Sequence, residues 1–208
     1  MRLTFQLQTA LTGMNDVIKR ILALLVIAGI VSASAATNDV VEGNPFSPVK
    51  VTIYSDLQCD YCQTLRTLLD EKLLPKYGAQ VAFIHRDLPL GRHDWARTAA
   101  LVARWVDEQD PKLGTNFRRE LLAEHLHVTR ATLQPWIVEF ARRNKLSEKE
   151  IVAAMTDPRL GTLVDRDAQL AATRSINKIP TVIVAGQSFA EIIIYDDVAR
   201  VIDQALAR

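Results

Sequence analysis

Cys59-Asp60-Tyr61-Cys62 carries the only two cysteines of a 208-residue chain, and they stand as C-x-x-C. Just upstream, Val49-Lys50-Val51-Thr52-Ile53-Tyr54 alternates in the manner of a half-buried strand. Downstream, Leu65, Leu68, Leu69 and Leu73 fall on one face of a helix. The cysteines therefore lie where a strand passes into a helix. The first thiol faces the free N–H groups and positive dipole end of that helix, which stabilise a thiolate. The second lies one turn on, on the same side, close enough to close a disulfide. C-x-x-C in such a strand–helix–strand setting reads as a redox motif.

Two other uses of the pair compete with this one. Structural zinc takes four ligands, usually two such pairs or one pair with histidines at finger spacing. There is no second pair, and His85, His93, His125 and His127 are not at finger spacing. A plain structural disulfide would close too short a loop to stabilise much by chain entropy. The 49% apolar content is enough for a full core without disulfide staples, which frees the cysteines from a structural duty.

The length suits one domain, or one domain with an insertion. Met14 to Ala36 reads as a secretory signal peptide: a charged start (Asp16, Lys19, Arg20), an apolar run from Ile21 to Val31, and small residues Ala33-Ser34-Ala35-Ala36 at an A-x-A site. Residues 1–36 are accordingly read as the signal, with Met14 as the expected true start. The apolar run is short for a bilayer span; the alternative is an uncleaved anchor facing the periplasm. Without residues 1–35 the chain keeps 22 basic and 23 acidic residues. That balance argues against a nucleic-acid partner. Export would deliver the C-x-x-C to an oxidising compartment, the periplasm, where it can act on other proteins' thiols.

Residues 37–48, with Gly43, Asn44, Pro45 and Pro48, read as a linker. A domain over 49–208 follows. Strand Val49 to Ser55 leads to a helix from about Tyr61 to Tyr77, interrupted near Pro75 and stopped at Gly78. Val81 to Ile84 is the next strand. From about 91 to 176 the pattern is nearly all helical. Ala96, Ala99, Ala100, Ala103 and Val106 make one face, and Leu133, Trp136, Ile137, Phe140 and Ala141 another. Leu160, Leu163, Val164, Leu170 and Ala171 make a third, and Phe117, Leu121 and Leu122 suggest a further helix. Ser147 with Glu150 makes a capping box. This block is expected as a helical subdomain inserted into a sheet domain. Lys178 to Val184 is a strand entered through Pro180, and Gly186-Gln187-Ser188 turns the chain into Ile192-Ile193-Ile194, read as a strand. Asp196 is expected to cap a last helix. The class is α/β, ordered β-α-β, helical insert, β-β-α.

That order, with C-x-x-C after the first strand and Ile179-Pro180-Thr181 before the third, resembles the thioredoxin fold. The insert makes it similar to the DsbA-like thiol:disulfide oxidoreductases. Tyr54-Ser55-Asp56-Leu57-Gln58-Cys59-Asp60-Tyr61-Cys62 is similar to that family's S-D-F-x-C-P-x-C. Arg86-Asp87-Leu88-Pro89-Leu90, His93 and the alanines at 96, 99 and 100 resemble the segment opening its insert. The resemblance covers about residues 46 to 208. It implies a cis bond before Pro180, turning the Ile179 main chain outward beside Cys59 to pair with an extended substrate segment. It also implies cysteine-containing protein substrates and a membrane quinone-linked partner that recycles the pair. No cofactor or metal is expected, and the chain is expected to be a monomer. One departure is Asp60, where the family most often has proline. A carboxylate beside Cys59 opposes a thiolate by like-charge repulsion.

Chemistry follows from position. A substrate thiolate attacks the exposed sulfur, Cys59, a mixed disulfide forms, and a second thiolate resolves it. Run in reverse, Cys62 attacks to release Cys59. Asp56 is a candidate proton acceptor for Cys62; the commoner arrangement for such a carboxylate is a solvated turn or helix N-cap. Tyr61 is expected to shape the substrate-facing surface. His93 is expected to cap or start the insert's first helix, and His125 and His127 to be solvated. Trp95, Trp105 and Trp136 read as buried packing. Arg142, Arg143 and Lys145 offset a helix dipole. The expected function is an exported oxidase that introduces disulfides. The alternatives are a dedicated reductant, favoured by Asp60, and a thioredoxin-fold binding module or chaperone with a passive cysteine pair.

Overall fold

A computed structural model describes residues 39–208. The reading of residues 1–36 as a signal peptide lies outside the described residues. The strands are β1 (Val40–Gly43), β2 (Lys50–Ser55), β3 (Ala82–Asp87), β4 (Thr181–Val184) and β5 (Gln187–Ala190), in one sheet of order β1-β3-β2-β4-β5. β2 is central. It runs parallel to β3 and antiparallel to β4, and its Val51, Ile53 and Tyr54 are buried. Apolar clusters cover the sheet on both sides, which is where a strand such as β3, apolar for its first three residues, must lie.

Two expectations about the sheet are corrected. The 37–48 stretch is not only a linker, because β1 within it pairs antiparallel with β3. What fixes it there is ionic rather than periodic. Glu42 accepts from Arg66 Nη1 at 2.5 Å and lies 2.8 Å from His85 Nε2. Gly43 ends the strand at φ +82°, where an added Cβ would sit 2.4 Å from the Val81 carbonyl oxygen. The second correction concerns Ile192-Ile193-Ile194, which is not a strand. β5 closes earlier, through a two-residue turn with positive φ at both Ala185 and Gly186, the geometry tight hairpins use. Glu191, at φ 65°, then turns the chain out of the sheet, leaving Ile192 and Ile194 exposed.

After the motif come α1 (Asp60–Leu68), a π-helical turn (Leu69–Leu73) and α2 (Leu74–Tyr77). The expected interruption near Pro75 takes the form of this π turn. Pro75 cannot donate to Glu71, and the ladder widens just before it, with the Leu74 N–H bonded to the Leu69 carbonyl. The insert comprises α3 (Ala96–Gln109), α4 (Pro111–Glu124), α5 (Leu133–Arg143), α6 (Glu148–Ala154) and α7 (Pro158–Thr173). Ser147 Oγ accepts the Glu150 N–H at 3.3 Å. Trp95 and Trp105 are buried, and Trp136 stacks on Phe140 within the insert core. α8 (Tyr195–Leu206) closes the chain. Its N-cap is Ile194, and Asp196 sits in the first turn without a cap bond. There its charge still complements the dipole.

The insert docks through buried ions as well as apolar contact. Arg104 of α3 donates to Asp87 at 2.5 Å and to Asp167 of α7. Asp167 also accepts the Asp87 N–H at 3.0 Å. Each carboxylate is satisfied on more than one side, the condition under which buried charge is tolerated.

Candidate active site

Cys59 is the N-cap of α1, with φ −113° and ψ 123°. Extended backbone there aims its thiol at the helix's first N–H groups. Cys59 is only 6% exposed and Cys62 2%. Cys62 is thus the deeper of the two, as expected, but the expectation of an open Cys59 is corrected. Both lie in the core cluster that holds Leu57, Trp95 and Ile179. Both are free thiols. The Cys59 pKa is lowered to about 6. The hydrogen bond from the Cys62 thiol does most of this. Burial works against it, the N–H groups of Cys62 and Tyr61 assist, and the Asp56 charge opposes. The Cys62 thiol is pushed far upward, by burial first and then by the thiolate it serves. One sulfur is therefore poised as an anion and the other kept protonated.

Asp56 is buried, which corrects its reading as a solvated turn or N-cap carboxylate. Its Oδ1 accepts the Gln58 N–H and its Oδ2 the Leu90 N–H, each at 2.7 Å. Oδ2 also lies 2.7 Å from His93 Nδ1. His93 therefore does not cap a helix; Trp95 holds the N-cap position of α3. Gln58 completes the clamp. Its side chain accepts the Trp95 N–H at 3.1 Å and donates to Asp94 at 3.0 Å. The loop ahead of the cysteines is thereby fixed to the entrance of the insert. Gln58 and His93 were missed as site-shaping residues because their partners lie 36 and 37 positions away, and no local pattern signals such pairs.

Ile179-Pro180 is a cis peptide. Ile179 is buried, and its N–H and C=O take no partner among the described residues. The Pro180 carbonyl accepts the Glu191 N–H at 2.8 Å, which brings the loop carrying exposed Ile192 beside the cis bond. Tyr61 is exposed, and its aromatic ring is free to meet another chain. His125 is buried, which corrects its reading as solvated; its Nε2 lies 2.7 Å from Asp60 Oδ1. His127 is exposed, as expected. Behind Cys62 lies a cavity of about 20 Å³ lined by Ser55, Leu57, His85 and Arg118 among others, room for a single water. Among the described residues no group of three or more His, Cys, Asp or Glu side chains is arranged to hold a metal ion.

The sheet, the insert and the dithiol at a helix N-terminus define a thioredoxin-fold protein of the kind that exchanges thiols and disulfides. The family model described as Thioredoxin matches residues 35–204, and the chain belongs to that family. Its fold is that of the DsbA-like members. Oxidised BdbD from Bacillus subtilis superposes with a TM-score of 0.74 at 19% identity, over 82% of this chain and 94% of that one. Alpha-DsbA1 from Wolbachia pipientis gives 0.70 at 18%, over 82% and 92%. The catalytic domain of ScsC from Proteus mirabilis gives 0.69 at 19%, over 82% and 90%. No curated protein sequence matches the chain.

Proposed function

We propose that the chain is an exported protein thiol:disulfide oxidoreductase working as an oxidase, with Cys59 and Cys62 as its catalytic pair. The observation that carries this reading is the Cys59 thiol at a helix N-terminus, lowered to about 6 and backed by a protonated, buried Cys62. A stabilised thiolate stabilises the dithiol form, and a protein whose dithiol is stabilised takes electrons readily. At pH 7 such a thiolate favours the dithiol by roughly tenfold over an ordinary thiol, or ~30 mV.

In the forward reaction a substrate thiolate attacks Cys59 Sγ. The Cys59–Cys62 bond breaks, its electron pair leaves on Cys62, and Cys62 takes up a proton. A second substrate thiolate attacks the substrate sulfur of the mixed disulfide. The substrate disulfide forms and Cys59 departs as its stable thiolate. The substrate gives up two electrons and the pair accepts them. A membrane redox partner then removes them. The unpaired main-chain groups of Ile179, held by cis Pro180, would bond an extended substrate segment. Exposed Tyr61 would contact it. Both Asp56 oxygens already have donors, so Asp56 serves better as the clamp that sets Cys62 than as its proton acceptor.

The specific support for a reductant is the Asp60 carboxylate beside Cys59, and its pairing with His125 weakens that support. Among the described residues no helix is long and apolar enough to cross a membrane. Intact mass of the exported protein tests cleavage after the 14–36 signal, and retention of 14–35 would replace the free form by an anchored one. The deciding experiment for function is the equilibrium of Cys59–Cys62 against glutathione. A potential towards ~−120 mV is expected of an oxidase. A value at or below ~−230 mV would make the chain a reductant.

A further inference from the structure

His125 lies at the C-terminal end of α4, 65 positions from the motif, and both of its ring nitrogens are engaged. Nδ1 is 2.6 Å from the Leu122 carbonyl oxygen, and Nε2 is 2.7 Å from Asp60 Oδ1. A carbonyl oxygen only accepts, so Nδ1 carries a proton. The Asp60 side chain is 78% exposed, and a water-facing carboxylate also accepts. Nε2 then carries a proton too. An imidazole that donates from both nitrogens is an imidazolium. A positive charge is thereby placed beside the carboxylate of Asp60, the residue that follows Cys59.

We propose that His125 is a positioning residue for the dithiol chemistry: held as an imidazolium by Leu122 and Asp60, it neutralises the Asp60 carboxylate and so preserves the thiolate of Cys59. This rests on the assignment of Cys59 as the attacking and leaving sulfur, but not on the direction of electron flow. Asp60 alone would repel the thiolate one residue before it. Paired with His125, it becomes the link through which the helical insert sets the redox poise of the sheet domain.

The other charged groups around this end of α4 are committed elsewhere. On α4 itself, Glu124 accepts from Trp136 Nε1 at 2.9 Å, Glu120 pairs with Arg143 of α5, and Arg118 is held by Asp107 of α3 and by Asp87 of β3. Arg119 pairs with Asp70. From the loop ahead of α1, Asp56 faces His93. His127 is exposed. Asp60 remains as the anion that meets His125.

The test combines two readouts. In the unaltered reduced protein, nitrogen-detected NMR should find both His125 ring nitrogens protonated at pH 7. By reciprocity, titrating Cys59 to its thiolate must raise the His125 midpoint as much as His125 favours the thiolate. His125→Phe should raise the Cys59 midpoint, read by thiolate absorbance. A rise of about one unit would leave roughly tenfold less thiolate at about pH 5 and, at about pH 8 and above, a potential ~30 mV more reducing. Asp60→Asn should lower the Cys59 midpoint, and the double variant should match Asp60→Asn alone. An unprotonated Nε2 at pH 7 overturns the proposal, and so does a Cys59 midpoint unmoved by His125→Phe. If His125→Phe does not fold, His125→Gln and the NMR titration of the unaltered protein decide. A reducing potential with the coupling intact would overturn the oxidase reading alone.

Discussion

The backbone N–H of Asp56 points at the Cys62 sulfur from 3.4 Å, while the carboxylate of the same residue gathers the Gln58 and Leu90 N–H groups and His93. One residue thus holds the buried cysteine with its main chain and the surrounding loops with its side chain. Asp56→Ala would leave three donors without their acceptor. An orphaned buried donor costs about 1–3 kcal/mol, and water entering the gap would recover part of the sum. A loss of roughly 3 kcal/mol in urea unfolding of the reduced protein is expected. The Asp56 charge also opposes the Cys59 thiolate. Stability and the Cys59 midpoint should therefore fall together. A midpoint that rose would show the charge assignment to be wrong.

The two cysteines should fail differently. Cys59→Ser removes the reactive sulfur and should form no mixed disulfide with a disulfide-linked peptide dimer. Cys62→Ser leaves Cys59 as a lowered thiolate with nothing to resolve it. Offered a disulfide-linked peptide dimer, it should attack one sulfur, release the other peptide as a thiolate, and accumulate the mixed disulfide, seen as an adduct by intact mass. A passive structural pair would leave binding or chaperone activity intact in both variants.

Folding stability of the reduced form should depend on pH in a defined window. Cys59 is lowered in the folded chain to about 6, against an unfolded thiol near ~8.5. Between those values the unfolded chain binds the extra proton, so stability rises with pH. The contribution is complete above about pH 8.5 and is lost as pH falls through 6. Cys62 has the opposite sign: its folded midpoint lies far above the unfolded one, so it removes stability above about pH 8.5. The difference in stability between the reduced and oxidised proteins should therefore move towards the reduced form from pH 6 to 8.5 and turn back beyond it. A difference that is flat with pH would contradict the lowered Cys59.

How much of this could be read from the sequence follows from where each signal resides. Cys59 and Cys62 declare themselves because strand period, helix period and C-x-x-C are all local. The insert is legible for the same reason, since its helices keep an apolar stripe. β1 was not, because a four-residue edge strand held by Glu42, Arg66 and His85 has no period to show. Ile192-Ile193-Ile194 misled in the opposite sense. An apolar run says strand, yet Glu191 at φ 65° ends the pairing before it. His93 and His125 were misread because a histidine's role is set by its partner. Asp56 and Asp60 become their neighbours only once the insert folds back over the motif.

The buried ions between insert and sheet give a last expectation. Asp167 is fully buried and binds the Asp87 N–H, Arg104 and Arg86. Asp167→Ala would take one of two carboxylate partners from each of two guanidinium groups, leaving Arg104 on Asp87 and Arg86 on Asp39 in a closed interior. Breaking a buried pair from one side costs about 3–5 kcal/mol, whereas replacing both partners by apolar groups of similar size is often close to neutral. Arg104→Met with Asp167→Leu should therefore lose less stability in urea than Asp167→Ala alone. Asp87 would still be held by Arg118 in that double variant. If the double variant lost as much as the sum of the single ones, the network would be acting through its charges individually. The docking of α7 on β3 would then have to rest on the apolar contacts beside it.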